Sequence, residues 1–440
     1  MDSQPTITTR RKLIGNMFWL YGLQGLNYFI PLAVLPYLVR VLGVERYGLV
    51  AFAQALAQGF MFLTDYGFNL SATRRIAQLH DDPREVARVF WAVITIKTAL
   101  VVAGAGVLAG LIVLVPRFHS DASLYVVAYA AVVGSVLFPV WLFQGMEQMR
   151  YISVVSGGAK LLGAALLFFL VHRPSDYLLA LAIQSVSMLL AGIAGFIAAL
   201  AHFRIGFRFP SRTDLSKMLA EGWHLFISSV AGTLYATSNV FLVGLIAGNV
   251  QAGYFSAAEK TVRGVQGLLT PMTQAIYPHV SGLAQESRER ALSFIRKTLG
   301  WMGLLSFLPS ILLLIFARPV ALLLFGPAAE GSIVPLRLIA LLPFVLTVSS
   351  VLAVQTMIPF GMERQLSRIY VAAGVTSLLF SLPLIHQFGA TGAGIAVLVI
   401  EVCIVLAMWR SLTAHGFDLR GRTLRVAPPP ADVSEIGLGQ

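Results

Sequence analysis

The sequence predicts an all-α polytopic membrane protein of about twelve transmembrane helices, arranged as two pseudo-symmetric six-helix bundles. Three observations predict it. The 440 residues are 57% hydrophobic and only 12% charged, with a mean hydropathy of +0.78, which is more apolar surface than a water-soluble core can hide. The apolar residues are gathered into runs long enough to cross the hydrocarbon as helices. The basic residues alternate from side to side of those runs. One side holds Arg10, Arg11 and Lys12, then Arg74, Arg75, Arg84 and Arg88, with further clusters at 204–217, 288–297 and 410–425. The other holds only Arg40, Arg46, Arg117, Arg173 and Arg318, so the basic side is cytoplasmic and both termini lie there.

The first run, Leu13 to Val39, is longer than a signal-peptide core of roughly 7 to 15 residues and is expected to remain as the first helix. Further runs start near Tyr47, Val89, Leu124, Ile152 and Tyr177 in the first half. Those of the second half start near Met218, Gly253, Leu299, Ile333, Ser367 and Thr391. The outward loops are short and leave no room for a folded outer domain. The expected organisation is a cytoplasmic arm at 1–12, a first bundle at 13–203, a basic linker at 204–217, a second bundle at 218–413 and a disordered tail at 414–440. The tail is small, polar and carries Pro428, Pro429 and Pro430.

The halves also echo each other. Gly145, Met146 and Glu147 recur as Gly361, Met362 and Glu363, each set in the cytoplasmic turn after the fourth helix of its half. Gly48 matches Gly253 at the start of the second helix of each half. An even number of spans per half inserts both the same way up, giving a parallel repeat about the membrane normal with any site at its interface.

Polar residues enter the membrane at helical spacing on four helices. Gln24, Asn27 and Pro31 mark the first, and Gln54, Gln58 and Asp65 the second. His224, Ser228, Tyr235 and Asn239 mark the seventh, and Glu259, Arg263, Gln266, Thr270, Thr273 and Tyr277 the eighth, with Lys260 beside that face. Polar groups facing lipid are costly, so these stripes are expected to face the interior or a wet cavity. Pro31, Pro36, Pro271 and Pro278 interrupt helices of the same set and are either hinges or static kinks. Other charges within spans are Lys97, Lys160, Arg337 and Glu401. An i, i+4 ion pair is the structural alternative for Glu259 and Arg263. Snorkelling toward the cytoplasmic interface is the alternative for Lys97 and Lys160, and a cap or gate contact that for Asp65.

An excess of lysine and arginine in a cavity favours an anionic ligand such as a phosphate ester. The charge of +12 is read as topology and headgroup attraction rather than as a nucleic-acid site. A single cysteine, Cys403, excludes a disulfide framework and a multi-cysteine metal site. No GxxxxGK, HExxH, GxSxG or DxD pattern is present, so no enzyme activity, metal or cofactor is expected.

Four segments then carry a family resemblance. They are the run Asn16 to Gly48, with Gln24, Asn27, Tyr28, Pro31, Pro36, Tyr37, Arg40 and Gly43; TDYGFNLSATRRIA from Thr64; WLFQGMEQMRYIS from Trp141; and YFSAAEKTVRGVQGLLTPMTQAIYP from Tyr254. In this order they resemble the bacterial polysaccharide transporter family, the O-antigen flippases, whose fold is of the multidrug and toxic compound extrusion type. The resemblance implies movement of undecaprenyl-diphosphate-linked oligosaccharide from the cytoplasmic to the periplasmic leaflet of the bacterial inner membrane. It also implies polymerase and chain-length-regulator partners. On this reading Lys260 and Arg263 hold phosphate, with Lys97 and Gln266 as further substrate contacts. Gln24, Asn27, Gln54 and Asn239 contact sugar, and Glu259 or Asp65 carries a coupling ion. The chain is expected to act as a monomer among membrane lipids. The rival readings are a drug or cation exporter of the same fold, which predicts a dominantly acidic cavity, and a membrane polymerase or acyltransferase, which needs a large outer loop or a catalytic cluster.

Overall fold

The computed structural model describes residues 7–417, without the side chains of 7–21, Leu23, His224, Leu225, 227–237, Ala275 and Pro278. The expectations for His224, Ser228, Tyr235, the kink at Pro278, the start of the arm and the end of the tail therefore lie outside the described residues. Sixteen α-helices follow one another: α1 Ile7–Asp65, α2 Phe68–Leu79, α3 Pro83–Leu114, α4 Pro116–His119, α5 Ala122–Leu137, α6 Val140–Gly145, α7 Met149–Leu170 and α8 Tyr177–Phe203 in the first half. The second half has α9 Arg212–Ala247, α10 Asn249–Glu286, α11 Arg288–Ile315, α12 Ala317–Phe325, α13 Ile333–Ile339, α14 Leu342–Leu352, α15 Glu363–Phe388 and α16 Ala390–Ala414. Twelve membrane crossings result once α1 is divided at Gly43 (φ 75, ψ 160) and the pairs α5–α6 and α13–α14 are each taken as one broken span.

Most helices begin several residues before the apolar run that announces them. Asp82 accepts from the amides of Arg84 and Glu85 with Pro83 in the first turn, so α3 starts ahead of Val89. Ser287 caps α11 through the amide of Arg290, well before Leu299. Hydropathy reads the hydrocarbon part of a helix, and the cap sits in the headgroup region.

The repeat is visible in the backbone. Gly43 and Gly248 (φ 93, ψ 175) make the same outer bend, and each is followed at the same interval by the close-contact glycines Gly48 and Gly253. Asp82 and Ser287 cap equivalent helices. The Gly-Met-Glu recurrence, however, is out of register by two residues. In the first half the amides of Gln148 and Glu147 return to the carbonyls of Phe143 and Gln144; in the second those of Met362 and Gly361 return to Met357 and Ile358. Both are the same left-handed helix stop, and it places Glu147 (φ 55), not Gly145, opposite Gly361 (φ 73). Gly145 instead packs on Ile76 and the Thr73 carbonyl.

The halves join at the end that carries the Gly43 and Gly248 bends. There α1 and α10 cross so closely that a Cβ on Gly48 would overlap the Asn249 carbonyl, and one on Gly253 the Val44 carbonyl. Tyr47 and Ser256 share a buried hydrogen bond of 3.1 Å beside the crossing, and Phe52 stacks on Phe241. Arg117 crosses to the carbonyls of Gly244 and Leu245 at the end of α9, and Arg40 to those of Leu323 and Leu324 at the end of α12. Cations at helix C-termini satisfy orphan carbonyls and meet the negative end of the helix dipole. One apolar core, from Val34 and Phe52 to Phe255 and Leu336, spans both halves here. Toward the opposite end it gives way to two further cores, one around Trp141 and Phe90, which takes in Met218 of α9, and one around Met302 and Met357.

Gly48→Ala should therefore cost about 2 kcal/mol, because two backbones must separate. Gly59→Ala, with nothing within 4 Å of the added atom, should stabilise by about 0.5 to 1 kcal/mol. Thermal unfolding of the two variants in detergent checks the opposite signs.

Candidate functional site

Below the crossing, the halves part around two adjoining cavities. One, of about 320 Å³, lies between the first arm of α1, α7 and α8, with Lys260 of α10 at its wall. The other, of about 710 Å³, lies between the second arm of α1, α5, α8, α9 and α10. Gln54, Gln184, Met188 and Lys260 line both and form the partition between them. A third cavity of about 120 Å³, within the second half, meets the large one at Glu259 and Arg263.

The partition is a hydrogen-bond chain. Lys260 Nζ donates to Gln54 Oε1 at 3.5 Å, Gln54 Nε2 to Gln184 Oε1 at 2.8 Å, and Gln184 Nε2 to the Ala180 carbonyl at 3.0 Å. The Lys260 ammonium also lies 5.3 Å from the centre of the Tyr47 ring. Across the smaller cavity Lys160 donates to Asn27, tying α7 to α1. Among the described residues neither Lys160 nor Lys260 forms an ion pair. Their partners are neutral amides, which leave the positive charge unneutralised.

Arg263 is differently placed. Its Nη2 and Nε reach Glu259 Oε1 at 2.7 and 3.0 Å, an i, i+4 pair on α10 whose members line both the large and the small cavity. Asn239 and Gln266 line the small cavity with them, joined by Glu401 of α16. Asn239 is buried, and its Oδ1 has no hydrogen-bond partner among the described residues.

Three of the residues given a binding or coupling role from the sequence, Gln24, Lys97 and Asp65, lie away from these cavities. Gln24 donates to Tyr28 Oη one turn along α1. Lys97 does not snorkel; it is buried with its Nζ 3.3 Å from Asp65, so two candidates of opposite charge are used on each other. Lys160 is exposed, and its ammonium reaches the cavity because α7 packs against α1 there. Gln184 drew no attention in the sequence, although it is the lone amide inside an otherwise apolar span. Among the described residues no group of three or more His, Cys, Asp or Glu side chains could hold a metal.

Residues 13–284 match the family described as polysaccharide biosynthesis protein. The chain belongs to that family. Two relatives, from Escherichia coli (strain K12) and Shigella dysenteriae, each carry the name "Putative O-antigen transporter". The first is 36% identical over 91% of this chain and 96% of its own length, and the second 31% identical over 90% and 99%. Among solved structures the fold is similar to that of the lipid II flippase MurJ in an inward closed conformation, with TM-score 0.69, 11% identity and coverage of 92% of this chain and 89% of that one. It is also similar to an inward-facing multidrug resistance MATE family transporter of the MOP superfamily, with TM-score 0.60, 16% identity and coverage of 90% and 99%. This family member is thus a multi-pass membrane protein of about twelve helices in the two-bundle fold shared with those transporters.

Asp65→Asn should destabilise the protein by about 3 kcal/mol, because it leaves Lys97 charged and buried without its counter-ion. Adding Lys97→Met should recover most of the loss, and a double-mutant cycle on thermal unfolding measures the recovery.

Proposed function

We propose that this protein is a flippase that carries undecaprenyl-diphosphate-linked oligosaccharide from the cytoplasmic to the periplasmic leaflet of the bacterial inner membrane by alternating access. The observation that carries the reading is the pair Lys160 and Lys260. The two ammonium groups have no acidic partner, Lys160 meeting the Asn27 amide in the cavity of the first half and Lys260 meeting the Gln54 amide and the Tyr47 ring where that cavity adjoins the one between the halves. A charge kept inside the membrane is expensive unless something compensates it, and a diphosphate would compensate both. Asn27, Gln54 and Gln184 supply the donors and acceptors that sugar hydroxyls require. The names of the two relatives and the flippase fold support the same class of cargo.

Alternating access fits the division of the core, which is one cluster across both halves at the Gly48–Gly253 end and two clusters at the other, where the second half enters the first-half cluster only through the start of α9 at Met218. The bundles are taken as 13–203 and 218–413, the termini as cytoplasmic and the working unit as a monomer. A polymerase and a chain-length regulator are its expected partners. Arg263 stands ready as a third cation if Glu259 takes up a proton or sodium ion, which makes Glu259 the candidate for coupling to an ion gradient. Asp65 is spent on Lys97 and is not given that role here. The exporter reading requires an acidic cavity, and the two cavities around Gln54 are lined by Lys160, Lys260 and Arg263 against one carboxylate, Glu259.

The test is flipping of a fluorescent undecaprenyl-diphosphate oligosaccharide in proteoliposomes. Lys160→Gln and Lys260→Gln should each slow it about tenfold, the worth of one charge-assisted hydrogen bond, while Lys260→Arg retains most activity. Wild-type protein that exports organic cations but flips no lipid-linked glycan would establish the exporter instead.

A further inference from the structure

The linker between the two halves contains a fold-back that the transport reading does not use. α8 stops at Phe203 because Arg204 takes a left-handed backbone (φ 50, ψ 43) and the Ile205 amide returns to the Leu200 carbonyl at 3.2 Å. The chain therefore reverses. Trp91 of α3 holds the returning strand, donating Nε1 to the Gly206 carbonyl at 2.9 Å, and its ring lies 4.8 Å from that of Phe207. The same indole packs on Phe196 at 6.2 Å. Phe196 lies roughly 10 Å along α8 before its end, by the helical rise. Phe207 is thus brought back alongside the last turns of α8, beside Trp91.

Phe209 stands edge-on to Phe207 at 4.8 Å, and the two rings are 83% and 65% exposed. Uncovered rings of this size cost free energy in water and none in acyl chains. Around them Arg204, Arg208 and Arg212 are exposed and, among the described residues, belong to no ion pair. The acids that follow are already occupied. The Asp214 carboxylate accepts from the Ser211 amide and hydroxyl and pairs with Arg88 at 3.0 Å, and Glu221 pairs with Arg75 at 2.7 Å. Partial burial works to raise the Asp214 carboxyl, but the Ser211 hydrogen bonds and the Arg88 charge outweigh it and hold the group below its usual range. The linker is therefore a fixed loop with an apolar tip and an uncompensated cationic collar.

We propose that residues 204–212 form an anchoring site for anionic membrane phospholipid. Phe207 and Phe209 sit among the upper acyl chains of the cytoplasmic leaflet, and Arg204, Arg208 and Arg212 hold headgroup phosphates. A soluble protein partner would have to reach rings that the fold-back has drawn toward the hydrocarbon. The site ties the segment that joins the two bundles to the membrane surface.

Two measurements on the full-length protein test this. In vesicles of phosphatidylethanolamine and phosphatidylglycerol with brominated acyl chains, Phe209→Trp should add fluorescence that the bromolipid quenches and aqueous iodide does not, taken as the difference from wild type. Quenching by iodide alone would put the ring in water, and shielding from both quenchers would put a protein surface there; either result overturns the proposal. Retained phosphatidylglycerol, counted by native mass spectrometry, should bind about fivefold more weakly for each Arg→Gln change at 204, 208 and 212. Arg208→Lys should keep most of the binding. Unchanged retention in a triple variant that elutes as folded protein would equally overturn it.

Discussion

The contact of α1 with α10 at Gly48 and Gly253 is the constraint on which the two-bundle architecture rests. Between helices in lipid there is little hydrophobic drive, since acyl chains are as apolar as leucine; association relies on close packing and on polar groups that find each other. Two glycines facing each other give the first. The Tyr47–Ser256 hydrogen bond and the arginines that reach helix-end carbonyls, Arg40 and Arg117, give the second. All of these lie at the outer ends. At the opposite end there are two further cores, and that of the first half takes in the start of α9 through buried Met218, the stacked rings of Tyr66 and Phe226, and the ion pairs Arg75–Glu221 and Arg88–Asp214. Between the joint and these two cores the halves leave room, and that room holds the larger cavity, lined from both halves.

Membrane burial sorts the charged residues into two kinds. Asp65 with Lys97 and Glu259 with Arg263 answer the cost of burial by pairing. Lys160 and Lys260 answer it with amides, which accept a hydrogen bond but carry no opposing charge. An anion entering the cavities competes with an amide far more easily than with a carboxylate. The lysines are held in position yet remain available, and the paired residues are not.

Much of this was legible in the sequence, for identifiable reasons. The crossings follow from hydropathy and the positive-inside pattern, which depend on composition and not on partners. The polar stripe of α10 follows from helical spacing. Which of those polar residues meet was not legible, because an ion pair depends on the neighbouring helix. Asp65 and Lys97 lie on different helices, α1 and α3, and nothing in either segment points to the other. Lys160 reads as a snorkelling lysine until α7 is known to pack against α1. The Gly-Met-Glu recurrence shows the opposite failure: identical letters fell two places from the structural equivalence, because the shared feature is a left-handed stop that Glu147 makes in one half and Gly361 in the other. The Gly48 and Gly253 match lay in register because at both positions a side chain would collide with backbone.

The partition between the two cavities gives the transport reading its physical economy. Lys260 belongs to the second half and Gln54 and Gln184 to the first, so the chain of hydrogen bonds is also a polar tie across the interface at mid-membrane. On the proposed transport reading, a phosphate bound to the Lys260 ammonium would take the donor from Gln54 and break that tie, which would loosen the contact between the halves at this level. Reclosing the tie requires the phosphate to leave. A conformational change driven this way needs no large binding energy, because a 3.5 Å lysine–amide contact is a weak hydrogen bond and the outer crossing stays intact as the joint.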